Sequence, residues 1–193
     1  MRLEKLDNSV NIAILTSGKI ESLENIIKYF ESYLDVNISC IITNKDFNTN
    51  ILNKYKIDIY NTQWYKEIDN IITKNNIHYI VCSDFSEILP PNFCKKYKNK
   101  IINLHKSLLP KYQNLSEHDI YKNVLLNKDD NFGISVHLVD VDYIGTILFQ
   151  KSIKIHTSYD VADIKNKIDE LSLRFYPTII ENIIKGTYKY LYK

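Results

Sequence analysis

Asn103 and His105 stand two residues apart at the end of the apolar run Ile101-Ile102-Asn103-Leu104-His105, which continues as Lys106-Ser107-Leu108-Leu109-Pro110. On an extended strand residues i and i+2 project to one face, so a carboxamide and an imidazole would be presented side by side. Such a pair suits acyl-type transfer, in which the amide donates to a developing oxyanion while the imidazole polarises it or moves a proton. An Asn and a His at a strand end are also common as purely structural residues. Their meaning therefore depends on the elements that position them.

Those elements alternate. Apolar runs rich in Ile and Val exchange with segments whose apolar residues recur at three and four, the mark of strands and amphipathic helices by turns. Val10–Leu15, Val36–Thr43, Ile57–Tyr60, Tyr79–Cys82 and Ile101–Leu104 read as strands. Leu23–Leu34 and Trp64–Asn75 read as helices, Ile51–Tyr55 as a short one, and Pro90 and Pro91 open another as far as Tyr97. After a helix near Asp119–Asn127, Gly133–Val139 and Ile147–Ile155 pair as antiparallel strands, and Val161–Ile184 closes the chain as a long helix interrupted near Pro177. This is an α/β pattern. In open parallel sheets ligands bind outside the carboxyl ends of the strands, which is where His105 falls.

The composition narrows the function classes. Lys+Arg 25 against Asp+Glu 23 gives a formal net charge of +2, with no basic block of the kind that tracks nucleic acid. No apolar run approaches the ~20 residues of a membrane span, and the opening residues MRLEKLDNSV lack the apolar core of a secretory signal. Cys40, Cys82 and Cys94 form no C-x-x-C pair and read as free thiols in a reducing compartment, so a cytoplasmic location is expected. No cluster with metal-ligand spacing is present. At 193 residues, with 45% hydrophobic residues and no linker, the chain reads as one domain, residues 1–193. Only 4 glycines occur, so each carries weight. The sequence gives no reading of the oligomeric state.

The run Asn103-Leu104-His105-Lys106-Ser107-Leu108-Leu109-Pro110 with the strand Gly133-Ile134-Ser135-Val136-His137 resembles the folate-dependent formyltransferases, most closely those that act on glycinamide ribonucleotide. The resemblance extends through Thr43-Asn44-Lys45, Asp84–Phe93, Phe149-Gln150 and Phe175-Tyr176-Pro177, and Gly18, Gly133, Gly145, Pro91, Pro110 and Pro177 fall where that family places them. It implies a Rossmann-like formyltransferase fold, a mostly parallel seven-stranded sheet with helices on both faces. It also implies a formyl group delivered by 10-formyltetrahydrofolate to a small, phosphate-bearing primary amine, as in purine biosynthesis. Asn103 would hold the oxyanion and His105 would stabilise it or assist proton movement. The folate side would be formed by Phe85, Ser86, Glu87, Ile88, Leu89, Asp140 and Val141, and the substrate side by Gly18, Lys19, Ser107 and His118.

Three departures from the family pattern bear on function. The family aspartate seven residues past the position of His137 is matched here by Ile144, so either Asp142 or Asp140 supplies the carboxylate from a reshaped loop or the chain has lost it, and Asp142 is the expected third catalytic group. In the first loop Ile20 replaces a glycine and Glu21 puts negative charge where a substrate phosphate would sit. Lys106 replaces a proline and adds a cation that could meet that phosphate. These changes admit two alternatives: an N-formyltransferase of a nucleotide-linked amino sugar, or a formyltransferase-like protein that binds ligand without turnover. A carboxylate of Asp140 or Asp142 within reach of His105 would favour catalysis.

Overall fold

A computed structural model describes residues 5–6, 8–113 and 115–187. Much of the opening segment on which the expectation of no leader rests lies outside the described residues. The chain runs β1 (Val10–Thr16), α1 (Ile20–Glu31), β2 (Val36–Thr43), a 3-10 helix (Thr49–Tyr55), β3 (Asp58–Asn61), α2 (Tyr65–Lys74), β4 (Tyr79–Ser83) and α3 (Pro91–Lys96). It continues through β5 (Ile101–His105), α4 (Glu117–Leu126), β6 (Asn131–Leu138), β7 (Ile147–Lys154) and α5 (Val161–Ile184). The strands form one 7-stranded sheet in the order β3-β2-β1-β4-β5-β6-β7. Strands β1 to β5 are mutually parallel, and β6 and β7 add antiparallel. The α/β fold read from the sequence, with its antiparallel pair at one edge, is the fold observed.

Strand alternation divides the core. Ile12 and Ile14 of β1 face α1 and α5, packing with Leu23, Ile26, Phe30, Tyr176 and Ile180. Ala13 and Leu15 face the other way, onto Ile68, Ile71 and Ile72 of α2 and Phe93 and Cys94 of α3. Period-2 strands between period-3.6 helices bury both faces of the sheet, as parallel strands require. The chain leaves β1 toward one face and β4 toward the other, yet β1 and β4 are neighbours. Their carboxyl ends therefore open a crevice, and β5 ends beside it. Cys40, Cys82 and Cys94 are free and buried. Among the described residues no helix is long and apolar enough to cross a membrane.

The expected interruption near Pro177 is corrected: α5 is continuous from Val161 to Ile184 with Pro177 inside it. Proline has no N–H for the carbonyl four residues back, which here belongs to Leu173. Asn25 of α1 fills the gap, its Nδ2 donating to Leu173 O at 2.7 Å. A side chain distant in sequence thus satisfies the acceptor that the proline leaves open. Asn25→Ala is expected to destabilise the fold by about 1–3 kcal/mol, the cost of an unsatisfied buried acceptor, read as a lower urea midpoint at unchanged m.

Candidate active site

The β5–β6 register explains how the central polar groups meet. Asn103 lies opposite His137 and His105 opposite Ser135 in the antiparallel ladder. Directly opposed residues share a face, and Asn103 Nδ2 stands 3.1 Å from His137 Nε2. His137 is fully buried, and its Nδ1 donates to Leu138 O at 3.0 Å. Burial is the main cause that pushes the His137 pKa down to about 4, with the His105 imidazole adding to it against the Leu138 hydrogen bond. The ring is therefore neutral with its lone pair on Nε2, which accepts from Asn103 and fixes the orientation of the carboxamide.

His137 gives the fold a pH signature. Its folded pKa of about 4 lies below the ~6.5 of an unfolded histidine, so between these values the unfolded chain binds a proton that the folded chain refuses. The contribution is intact above pH ~6.5 and is lost as the pH falls toward 4. Unfolding free energy is expected to drop by about 3 kcal/mol across that window through this residue. Urea titrations at a series of pH values check it, with His137→Gln flattening the dependence.

His105 is half-buried, and its Nε2 is buried with no hydrogen-bond partner among the described residues. Burial pushes its pKa below the ordinary histidine value, opposed by a hydrogen bond to the backbone of Tyr112. With the other ring nitrogen donating to that backbone, the unshared lone pair belongs to Nε2. The loop after β5 is tied beneath it. Ser135 Oγ donates to Ser107 O at 2.6 Å and accepts from Leu109 N at 2.9 Å, and Gln150 Nε2 donates to both Ser135 Oγ and Leu109 O at 2.9 Å. Gly133 lies under the same loop, where a Cβ would meet Lys151 O at 2.0 Å.

The carboxylate loop is arranged differently from the expectation. Asp142 is exposed, with no hydrogen bond or ion pair to another described residue, and Asp140 Oδ1 accepts from Val141 N at 2.7 Å within its own turn. Neither is bonded to His105. Instead Tyr143 turns inward, with φ +70 and its N–H donating to Asp140 O at 2.8 Å. Its hydroxyl accepts from Asn103 Nδ2 at 3.4 Å, and its ring meets that of His137 edge-on, centroids 6.0 Å apart. The sequence reading missed Tyr143, because nothing in the run Asp140–Gly145 foretells a left-handed tyrosine.

On the expected folate side, Leu89 is buried and Phe85 and Tyr143 pack half-buried against the same cluster as Val139. Ser86 and Glu87 are exposed, while Ile88 and Val141 leave 75% and 43% of their surfaces open. The Ser86 N–H donates to Ser17 Oγ at 2.8 Å and the Tyr65 hydroxyl to Ile88 O at 3.1 Å. Ile88 and Val141 thus present exposed apolar side chains on two loops, a surface suited to a flat heteroaromatic ring.

On the expected substrate side, Gly18 has φ +97, a conformation that glycine tolerates. Ser107 is buried with its hydroxyl donating to Lys111 O at 2.6 Å, so its hydrogen goes to its own loop. His118 is exposed on α4. Lys106, the cation that could meet a substrate phosphate, is buried, and Asp84, Glu117 and Asp169 surround it within 3.2 Å. Burial disfavours its charge, yet these acids more than offset that and hold its pKa above the ordinary lysine value. Lys19 reaches Asp84 and Glu117 as well. His78 and His156 sit in local contacts, accepting from Asn11 N and bonding Ser158 Oγ. Among the described residues no group of three or more His, Cys, Asp or Glu side chains is placed to hold a metal ion.

Comparison with known proteins accords with this geometry. The formyl transferase family model matches residues 10–180. Phosphoribosylglycinamide formyltransferase of Haemophilus influenzae is 26% identical over 188 residues, covering 91% of this chain and 87% of that protein. The trifunctional purine biosynthetic protein adenosine-3 of Gallus gallus is 26% identical over 93% of this chain, which spans 19% of that longer protein. The crystal structure of phosphoribosylglycinamide formyltransferase from Anaplasma phagocytophilum superposes with a TM-score of 0.83 at 22% identity, over 92% of this chain and 87% of that one. Because the matched span runs from β1 into α5 and takes in every strand of the sheet together with Asn103, His105 and His137, the chain belongs to the formyl transferase family.

Proposed function

We propose that the protein transfers the formyl group of 10-formyltetrahydrofolate to a small primary amine, with Asn103 and His105 at the reacting centre. The observation that carries this reading is the buried Nε2 of a neutral His105, without a partner among the described residues, on the same strand face as Asn103. Bound 10-formyltetrahydrofolate would supply an activated formyl carbon, its ring held by Phe85, Ile88, Leu89 and Val141 and by the backbone of Ser86, Glu87 and Asp140.

Asn103 has two N–H bonds. The one to His137 fixes the amide plane, and the longer one to Tyr143 is exchangeable, so one N–H can turn to an oxygen that gains negative charge. His105 Nε2, with its lone pair free, takes a proton from the attacking amine and returns it to the departing folate nitrogen. The products are the formamide and tetrahydrofolate, with atoms and charge balanced. This route asks the imidazole to be neutral, which its burial ensures without a carboxylate from Asp140 or Asp142.

Incubating the purified protein with 10-formyltetrahydrofolate and a panel of amines, and following tetrahydrofolate and formamide together, tests the reading. Asn103→Ala is expected to lower kcat by about 10²- to 10³-fold with little change in KM for the folate. Turnover of no amine, or a fully active Asn103→Ala variant, would refute it.

A further inference from the structure

The lysines on the substrate side are already enclosed by carboxylates of this chain. Lys106, with 8% of its side chain exposed, has Asp169 Oδ1 at 2.8 Å, Asp84 Oδ1 at 3.0 Å and Glu117 Oε1 at 3.2 Å. An ammonium has three N–H bonds, and each faces an acid. Lys19 lies over the same groups, 3.1 and 3.2 Å from the two Glu117 oxygens and 3.5 Å from Asp84 Oδ1. Two lysines thus face three carboxylates. Lys165, on the outer oxygen of Asp169, brings the sum only to zero, and the exposed Glu21 in the first turn of α1 makes it negative again. Among these described side chains no net positive charge remains for an anionic ligand.

The start of α1 is where an anion would otherwise be received, through first-turn N–H groups and the helix dipole. Asp84 stands beside that turn from within the chain. Its carboxylate accepts from the Ser22 side chain in that turn as well as from Lys106, and Lys106, Ser22 and Lys19 hold its pKa below the ordinary carboxylate value despite burial. Its backbone φ is +51, a left-handed conformation costly for a residue with a side chain. Asp84 and Lys106 also line a small cleft with Ser22, Asn25, Ser172 and Tyr176, between α1 and α5. The cleft thus joins the enclosed charges to the end of β5.

We infer that Asp84 and Glu117 serve as a built-in anion that closes the substrate side to phosphate, so that the acceptor is a primary amine carrying no phosphate group. The inference rests on the formyl-transfer reading above and narrows its substrate class. A phosphate entering this side must displace a carboxylate from a saturated lysine and gains no uncompensated charge in return. A neutral or cationic amine meets neither obstacle.

Two measurements decide it. The first compares kcat/KM for glycinamide ribonucleotide with that for the same amine lacking the phosphate. The second titrates inorganic phosphate calorimetrically into the wild-type protein and into the Asp84→Asn, Glu117→Gln double variant. The phosphate-free amine is expected to be preferred by about tenfold or more, because a site whose lysines are already paired with carboxylates penalises the added anion. The wild type is expected to bind phosphate at least about tenfold more weakly than the double variant, in which both lysines regain free donors. Preference for the ribonucleotide, or tight phosphate binding by the wild type, overturns the inference, and neither result needs the variant to fold. If neither amine is formylated, the formyl-transfer reading fails for these acceptors while the phosphate titration still decides the charge argument.

Discussion

His105→Ala is expected to lower kcat for formyl transfer by about 10²- to 10⁴-fold, the range for loss of a positioned proton-transfer group. The far-UV circular dichroism should stay close to that of the wild type, because Nε2 has no partner among the described residues and the ring's one bond, to the Tyr112 backbone, lies in a loop outside the helices and strands. The pH profile separates this account from a charged-imidazole mechanism. Burial lowers the His105 pKa below the ordinary value of ~6.5, and the base role needs the neutral ring. The wild-type rate should therefore be flat through neutrality and fall only on the acid side of pH ~6.5. A rate that climbs as the pH drops through that region would show that the protonated ring is the active form.

Lys106→Met should destabilise the fold by about 3–5 kcal/mol, the usual cost of removing one partner from a buried ion pair. The variant keeps the volume but leaves Asp84, 12% exposed, and its two companion acids without their shared cation. The pH dependence carries a sign. Asp84 has its folded pKa depressed, so its contribution in the wild type is present above the unfolded value of ~3.9 and is lost as the pH falls through the folded value. In the variant burial acts unopposed by Lys106 and the carboxylates take up protons more readily. The gap between wild type and variant should be widest near neutrality and shrink on acidification, as followed by urea unfolding. A gap independent of pH would assign the loss to packing alone.

How much of this was legible in the sequence follows from how local each feature is. The strands could be read because parallel strands buried on both faces appear as unbroken apolar runs, and the shared face of Asn103 and His105 follows from strand geometry alone. The helices on each side of the sheet followed from their three-and-four spacing. Pro177 misled because its remedy, the Asn25 amide, lies on a helix near the other end of the chain. The enclosure of Lys106 was equally hidden, since Asp84, Glu117 and Asp169 arrive from three separate elements, and only the folded sheet edge brings them together. The loop after His137 was the hardest part. Spacing pointed to a carboxylate from Asp140 or Asp142, but a turn closed by Tyr143 N–H to Asp140 O and Gly145 N–H to Leu138 O, at 2.8 Å each, swings the tyrosine inward.

The burial of His137 and its bond to Leu138 link stability and function in one chain of contacts. Leu138 O orients His137, His137 orients the Asn103 amide, and the amide stands on the strand face that also carries His105. The antiparallel addition of β6 is what sets His137 opposite Asn103.

The most direct test of the central claim is a crystal structure of the protein with an unreactive analogue of 10-formyltetrahydrofolate. The account predicts that the atom standing in for the formyl carbon lies within about 4 Å of both Asn103 and His105 Nε2, with a donor–acceptor contact of ~3 Å to at least one. A pteridine seated elsewhere, or seated here with both side chains turned away from the formyl position, would contradict it.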